Sequence, residues 1–193
     1  MRDQTHRPTL QAGPSSRHFR PTMNLSDDLA ALAQRYQTAA PLLADAGRHH
    51  VDAARSGWSV AGHLWHTEAA ATGVLLSIAR IVGGKGDEQG TSPAVVAFLE
   101  EGAFPPGRQA PASVQPPEEG VYDAALASRF TRNAAAFARL DPDALEAATG
   151  TLPHPVLGPL TAPLWVRFAR IHAAHHDAIA AGLLGAAPTQ AQP

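Results

Sequence analysis

Residues 161–185 read TAPLWVRFARIHAAHHDAIAAGLLG, with proline only near the start and glycine only near the end. Proline is tolerated in a first helical turn and glycine closes a helix, so the stretch is written for a helix that opens on Thr161 and ends near Gly185. Let His172 mark the origin of a helical wheel. Trp165, Phe168, Ile179 and Leu183 then fall within about 40° of it, with His176 about 40° to one side and His175 about 60° to the other. Arg167, Arg170 and Asp177 fall about 140° or more away. The helix therefore carries an apolar stripe with imidazoles inside it and charges on its opposite side.

The distribution of proline extends this reading to the whole chain. All 17 prolines avoid residues 22–40, 42–92, 118–141 and 164–187, and crowd into 1–21, 93–117 and 142–163. A helix interior loses about 3 kcal/mol to proline, so the open windows are where helices lie. In the first window Leu29, Leu32, Ala33, Tyr36, Ala40 and Leu43 share one helical face. Asn24 or Ser26 caps its start, and Pro41 predicts a kink or break near residue 40. The second helix starts after Ser59 and runs to about Val82, where Gly83 and Gly84 stop it. The third spans roughly 121–140, with Tyr122, Leu126, Phe130, Phe137 and Leu140 inward and Arg129, Arg132 and Arg139 in water. A short helix from Ser92-Pro93 through Leu99 interrupts a long connection over 84–120. Residues 142–163 read as connection. The expected fold is all-α: an antiparallel four-helix bundle with a long crossover between helices two and three.

Residues 23–185 form the expected domain. Residues 1–22, rich in proline and arginine and without periodicity, read as a disordered extension, and Met23 as a plausible true start. Residues 186–193 read as a disordered tail. The extension lacks the apolar run of a secretory signal, and the stretch Ala69–Ala79 is too short and too interrupted to span a membrane. A cytoplasmic protein with no membrane partner is expected. A net charge of −2 argues against nucleic acid as a partner. The absence of cysteine excludes disulfides, thiolate metal sites and a cysteine nucleophile.

Ten histidines are the unusual part of the composition. His172 and His176, one turn apart on an apolar face, are a standard way to present two imidazoles to a metal, and His175 is a rival partner for His172. Buried histidines satisfied by hydrogen bonds are the bland alternative. A third ligand would come from helix two, which opens Trp58-Ser59-Val60-Ala61-Gly62-His63-Leu64-Trp65-His66. There His66 and His63 compete. Gly62, Ala69, Ala70, Gly73 and Ser77 lie on the side of His66. They leave either room for a ligand or, as the expectation favours, a close helix crossing. Glu68 and Asp177 read as solvated surface charges, so no general base is identified.

Trp58-Ser59 followed by His66, and the segment His154-Pro155-Val156-Leu157-Gly158-Pro159-Leu160-Thr161 followed by Trp165, His172 and His176, resemble the DinB-like superfamily. That superfamily includes the bacillithiol and mycothiol transferases. The resemblance implies a four-helix bundle that binds a divalent ion, commonly zinc or nickel, through one histidine of helix two and two of the last helix. Matched position by position, these are His66, His172 and His176. Many members carry glutamine three residues past the last ligand, where this chain has Ile179.

Three neutral imidazoles leave a divalent ion its full charge and open positions, the pattern of a catalytic site. Such an ion acidifies a bound water or holds a thiol as thiolate. Without cysteine in the chain, the thiol must come from a cosubstrate. The resemblance implies a low-molecular-weight thiol added to a small electrophilic or xenobiotic compound, so a thiol S-transferase or a hydrolase is expected. The rival is a non-catalytic, stress-associated metal-binding or structural bundle. A homodimer through helices one and three, with Phe98-Leu99, is a further expectation.

Overall fold

The computed structural model describes residues 24–44, 46–102, 104, 110–117 and 124–186. The expected extension, Met23, Tyr122 and the tail beyond Ala186 lie outside the described residues. Among the described residues six α-helices and a two-stranded sheet follow in the order α1 (Leu25–Ala39), α2 (Val60–Val82), α3 (Pro93–Glu101), α4 (Ala124–Phe137), α5 (Pro142–Ala147), β1 (Leu152–His154), β2 (Gly158–Leu160) and α6 (Ala162–Ala186).

The helix starts follow local chemistry. Asn24 caps α1, its side-chain oxygen accepting from Asp27 N–H at 3.2 Å. Ser59 caps α2 through Gly62 N–H at 3.1 Å, and Ser92 caps α3 with Pro93 in its first turn. Each side chain satisfies an amide that the helix itself leaves unpaired. Pro41 acts as expected: the α-helix ends at Ala39 and the chain continues as a 3₁₀ turn over Ala40–Ala44. The third long helix ends earlier than expected, at Phe137, and residues 138–139 form a turn.

Two elements correct the reading of 142–163 as connection, and the second of them also departs from the all-α expectation. Asp141 caps α5, with Pro142 in its first turn, so this proline starts a helix where it was read as a connection. Residues 152–160 form a small antiparallel hairpin pairing Leu152 with Leu160, Pro153 with Pro159 and His154 with Gly158. The two prolines face each other where neither needs an amide proton, and Gly158 takes φ +77° at the end of the turn. Asp87 and Thr151 exchange backbone hydrogen bonds of 2.8 and 2.9 Å, joining the beginning of the crossover to the hairpin. Gly86 and Gly150 meet there so closely that a Cβ on Gly150 would lie 3.0 Å from Gly86 backbone carbon.

Helix α2 packs along α6, α1 along both α4 and α6, and α4 also against α2. The core between them holds Leu32, Tyr36, Leu64, Ile78, Phe130 and Phe137, all nearly inaccessible. Tyr36 stacks on Phe137 at 5.7 Å and donates its hydroxyl to the Thr67 carbonyl at 2.9 Å. Burial raises the Tyr36 phenol to about 12.

Arg132 and Arg139 are exposed as expected, but several other charges are paired within the protein. Glu68 is buried and accepts from Arg129 at 2.9 Å and Thr72 at 3.1 Å. Asp177 binds Arg35 through both carboxylate oxygens, at 2.7 to 3.1 Å, and Arg35 also reaches Thr67. Arg167 joins three helices, donating to Asp28 at 3.1 Å and to the Leu99 carbonyl at 3.0 Å. The wheel placed these residues correctly on α6 and α2, but α1 and α4 cover the sides assigned to solvent. Leu99, assigned to contact with a second copy, is buried in the core, and Phe98 packs against Phe104 within the chain.

Candidate metal centre

Helices α2 and α6 bring the three expected histidines together. His66, His172 and His176 are buried, and one ring nitrogen from each lies within 4.8 Å of the others. His172 Nε2 stands 3.0 Å from His66 Nε2 and 3.2 Å from His176 Nε2. Among the described residues no carboxylate belongs to this cluster. His175 does not join it; half-buried, it packs against Phe104 at 5.5 Å.

The outer nitrogens meet partners that bear on the tautomers, and for His66 the partner fixes it. His66 Nδ1 lies 2.7 Å from the Val114 carbonyl, which can only accept, so the proton sits on Nδ1 and Nε2 presents a lone pair to the centre. His176 Nδ1 lies 2.8 Å from His63 Nδ1, and His63 Nε2 lies 2.8 Å from Ser56 Oγ. The reverse relay, starting from Ser56 Oγ–H, fits the same distances, but the order that suits a metal on His176 Nε2 has His176 Nδ1–H donating to His63 and His63 Nε2–H donating to Ser56. His176 Nε2 then also turns a lone pair inward. His63, the sequence competitor of His66, thus orients His176 from behind, as partners of metal-bound imidazoles commonly do.

Burial keeps the cluster neutral. It pushes His172 well below the usual imidazole range, and lowers His176 and His66; the Val114 hydrogen bond opposes the shift of His66. His63 is pushed down to about 4 by burial, with His66 and His175 adding to the effect. Neutral nitrogens at this spacing repel one another unless a proton or a cation lies among them. The donor set therefore suits a divalent ion with affinity for nitrogen.

Above the cluster opens a cavity of about 580 Å³. Ala69, Ala70, Gly73 and Ser77 line it, so the small side chains of α2 make room, not the expected close helix crossing. A Cβ on Gly73 would meet nothing within 4 Å. Phe98, Phe104, Trp165 and Phe168 supply aromatic walls, and the hairpin turn closes another side. Trp58 covers the histidines, its ring 5.0 Å from His66 and stacked on His176 at 6.2 Å. Val114 was not legible in the sequence, because a backbone carbonyl in a proline-rich crossover has no residue signature. The roles of His63 and Trp58 depend on ring orientation, which spacing does not specify.

A family model described as the DinB superfamily matches residues 14–180. The search of curated proteins and the search of solved structures return no match.

Proposed function

The chain belongs to the DinB superfamily, and on that premise we propose that it holds a divalent metal, zinc or nickel, on the Nε2 atoms of His66, His172 and His176. The four long helices are read here as the antiparallel bundle of that superfamily, with residues 23–185 as its folded unit. The supporting observation is the inward convergence of three buried nitrogens, with the outer nitrogens of His66 and His176 held by Val114 and His63. When bound, the ion supplies a positive charge that acidifies a thiol or water brought to it. The chain supplies the rest: neutral ligands, an apolar cavity that excludes bulk water, and aromatic walls that hold a small substrate. With no cysteine of its own, it requires a low-molecular-weight thiol for S-transfer to a small electrophilic compound. Hydrolysis of such a compound is the other activity within this proposal. A homodimer is tested by sizing chromatography.

The decisive test is metal content of tag-free protein by elemental analysis, followed by turnover of a thiol-reactive electrophile with and without added thiol. One metal per chain and thiol-dependent turnover abolished by chelation are expected. A metal-free protein that binds no added zinc or nickel would overturn the reading.

A further inference from the structure

We propose that His154 determines specificity in this cavity, its Nε2–H donating to a neutral oxygen acceptor, such as a ketone or amide oxygen, on a small ring-sized apolar substrate. The proposal deepens the metal-centre reading of the same cavity and rests on it for the position of the reacting atom. His154 lines the cavity from the last position of β1. Its Nδ1 accepts two amide protons of the turn, from Val156 at 3.2 Å and Leu157 at 3.1 Å. A nitrogen that accepts twice carries no proton, so the neutral ring of this cavity-lining residue carries its proton on Nε2. Burial pushes this imidazole down to about 4, so it stays a neutral donor near pH 7.

The surroundings define what such a donor reads. No lysine, arginine, aspartate or glutamate lines the cavity among the described residues. Away from the proposed ion an anionic group would find no countercharge on these walls, whereas a neutral acceptor would gain a hydrogen bond in apolar surroundings. Ser77 is already engaged, donating to the Gly73 carbonyl at 3.0 Å, and Trp165 Nε1–H, on the same lining and without a partner among the described residues, is the rival donor that the His154 variant separates. The His154 ring lies 4.3 Å from Phe168, and Phe168 stacks on His172 at 5.2 Å. Donor and histidine centre are therefore separated by one aromatic ring. A flat molecule of that size, lying against Phe168, reaches both.

The test compares acetophenone with cumene, a similar shape without the oxygen, by calorimetric titration of metal-loaded and chelated protein. Wild type should bind acetophenone about tenfold more tightly in both states, the value of one hydrogen bond in apolar surroundings. His154→Asn keeps an acceptor near Nδ1 for the turn and removes the Nε2 donor; it should bind cumene as before and lose the preference. A preference that survives in His154→Asn but vanishes on chelation would assign the oxygen to the metal and overturn this proposal while leaving the centre intact. A wild type with no preference, or with no affinity for either probe, would also overturn it. Spectra of ¹⁵N-histidine-labelled wild type provide a variant-free check. The His154 Nε2–H resonance should move with acetophenone and not with cumene, and an unmoved resonance contradicts the proposal.

Discussion

Helix α6 has two polar sides that behave differently, one half-buried and ion-paired, the other buried. Toward α1 and α3 it carries Arg167 and Asp177, whose charges are matched by Asp28, Arg35 and the Leu99 carbonyl. Toward α2 and the cavity it carries His172 and His176, whose inward nitrogens meet only other imidazole nitrogens. On the first side polar groups satisfy one another and lock helices together. On the second they are held neutral and aimed at a common point, an arrangement that adds little to stability until something else binds there. Burial alone does not separate structural from functional polar residues; the separation comes from whether their partners complete them.

Breaking the matched side should cost most. Arg167→Ala leaves Asp28 buried, with Arg170 at 3.7 Å as its remaining ion-pair partner. Burial already raises the Asp28 carboxyl despite the two arginines. Removal of one member of a buried pair costs about 3–5 kcal/mol, and chemical denaturation should show a loss of that order with metal content unchanged. The counterpart on the other side is His172→Leu. It replaces a buried imidazole by an apolar group of similar size, so the metal-free variant should stay within about 1.5 kcal/mol of metal-free wild type, while metal binding is lost. A large loss of stability in the second variant and a small one in the first would reverse the comparison.

How much of this contrast the sequence displayed depends on the residue. The ends of α1, α2 and α3 were legible because Asn24, Ser59, Ser92, Gly83 and Pro41 act through their own backbone neighbourhood. The wheel on α6 put His172 and His176 together because helical geometry relates residues one turn apart. It put Asp177 and Arg167 on the far side, but could not know that α1 lies there, since tertiary covering is not a local property. Glu68 was misread for the same reason: its partner Arg129 is 61 residues away. The hairpin at 152–160 was hidden by its three prolines, which read as a connection; Pro153 and Pro159 become strand residues only through pairing with each other, and Pro155 sits in the turn.

An acid titration sharpens the comparison with a smaller effect. His63 and His154 are held to about 4 in the fold, against about 6.5 in an unfolded chain. Between these values the unfolded chain binds more protons, so metal-free stability is fully present above pH 6.5 and falls as pH drops toward 4. Asp28, raised by burial, acts in the opposite direction above its ordinary value and blunts the lower end of that window. Urea denaturation at several pH values in chelator should show the decline; stability that rises from pH 6.5 to 4.5 would contradict it. The smallest effect is expected at the chain end. Deletion of residues 1–22 should leave Tm within a few degrees, and a larger drop would show that this segment packs on the helices.

The central claim is that His66, His172 and His176 complete one another only through a shared ion. Metal stoichiometry of the tag-free protein and of four single variants tests it most directly, with helical content checked for each. Wild type and His175→Ala should carry close to one divalent ion per chain, and His66→Ala, His172→Ala and His176→Ala close to none. A site emptied by His175→Ala and kept full by His176→Ala, or a wild type that takes up no ion, would contradict the account.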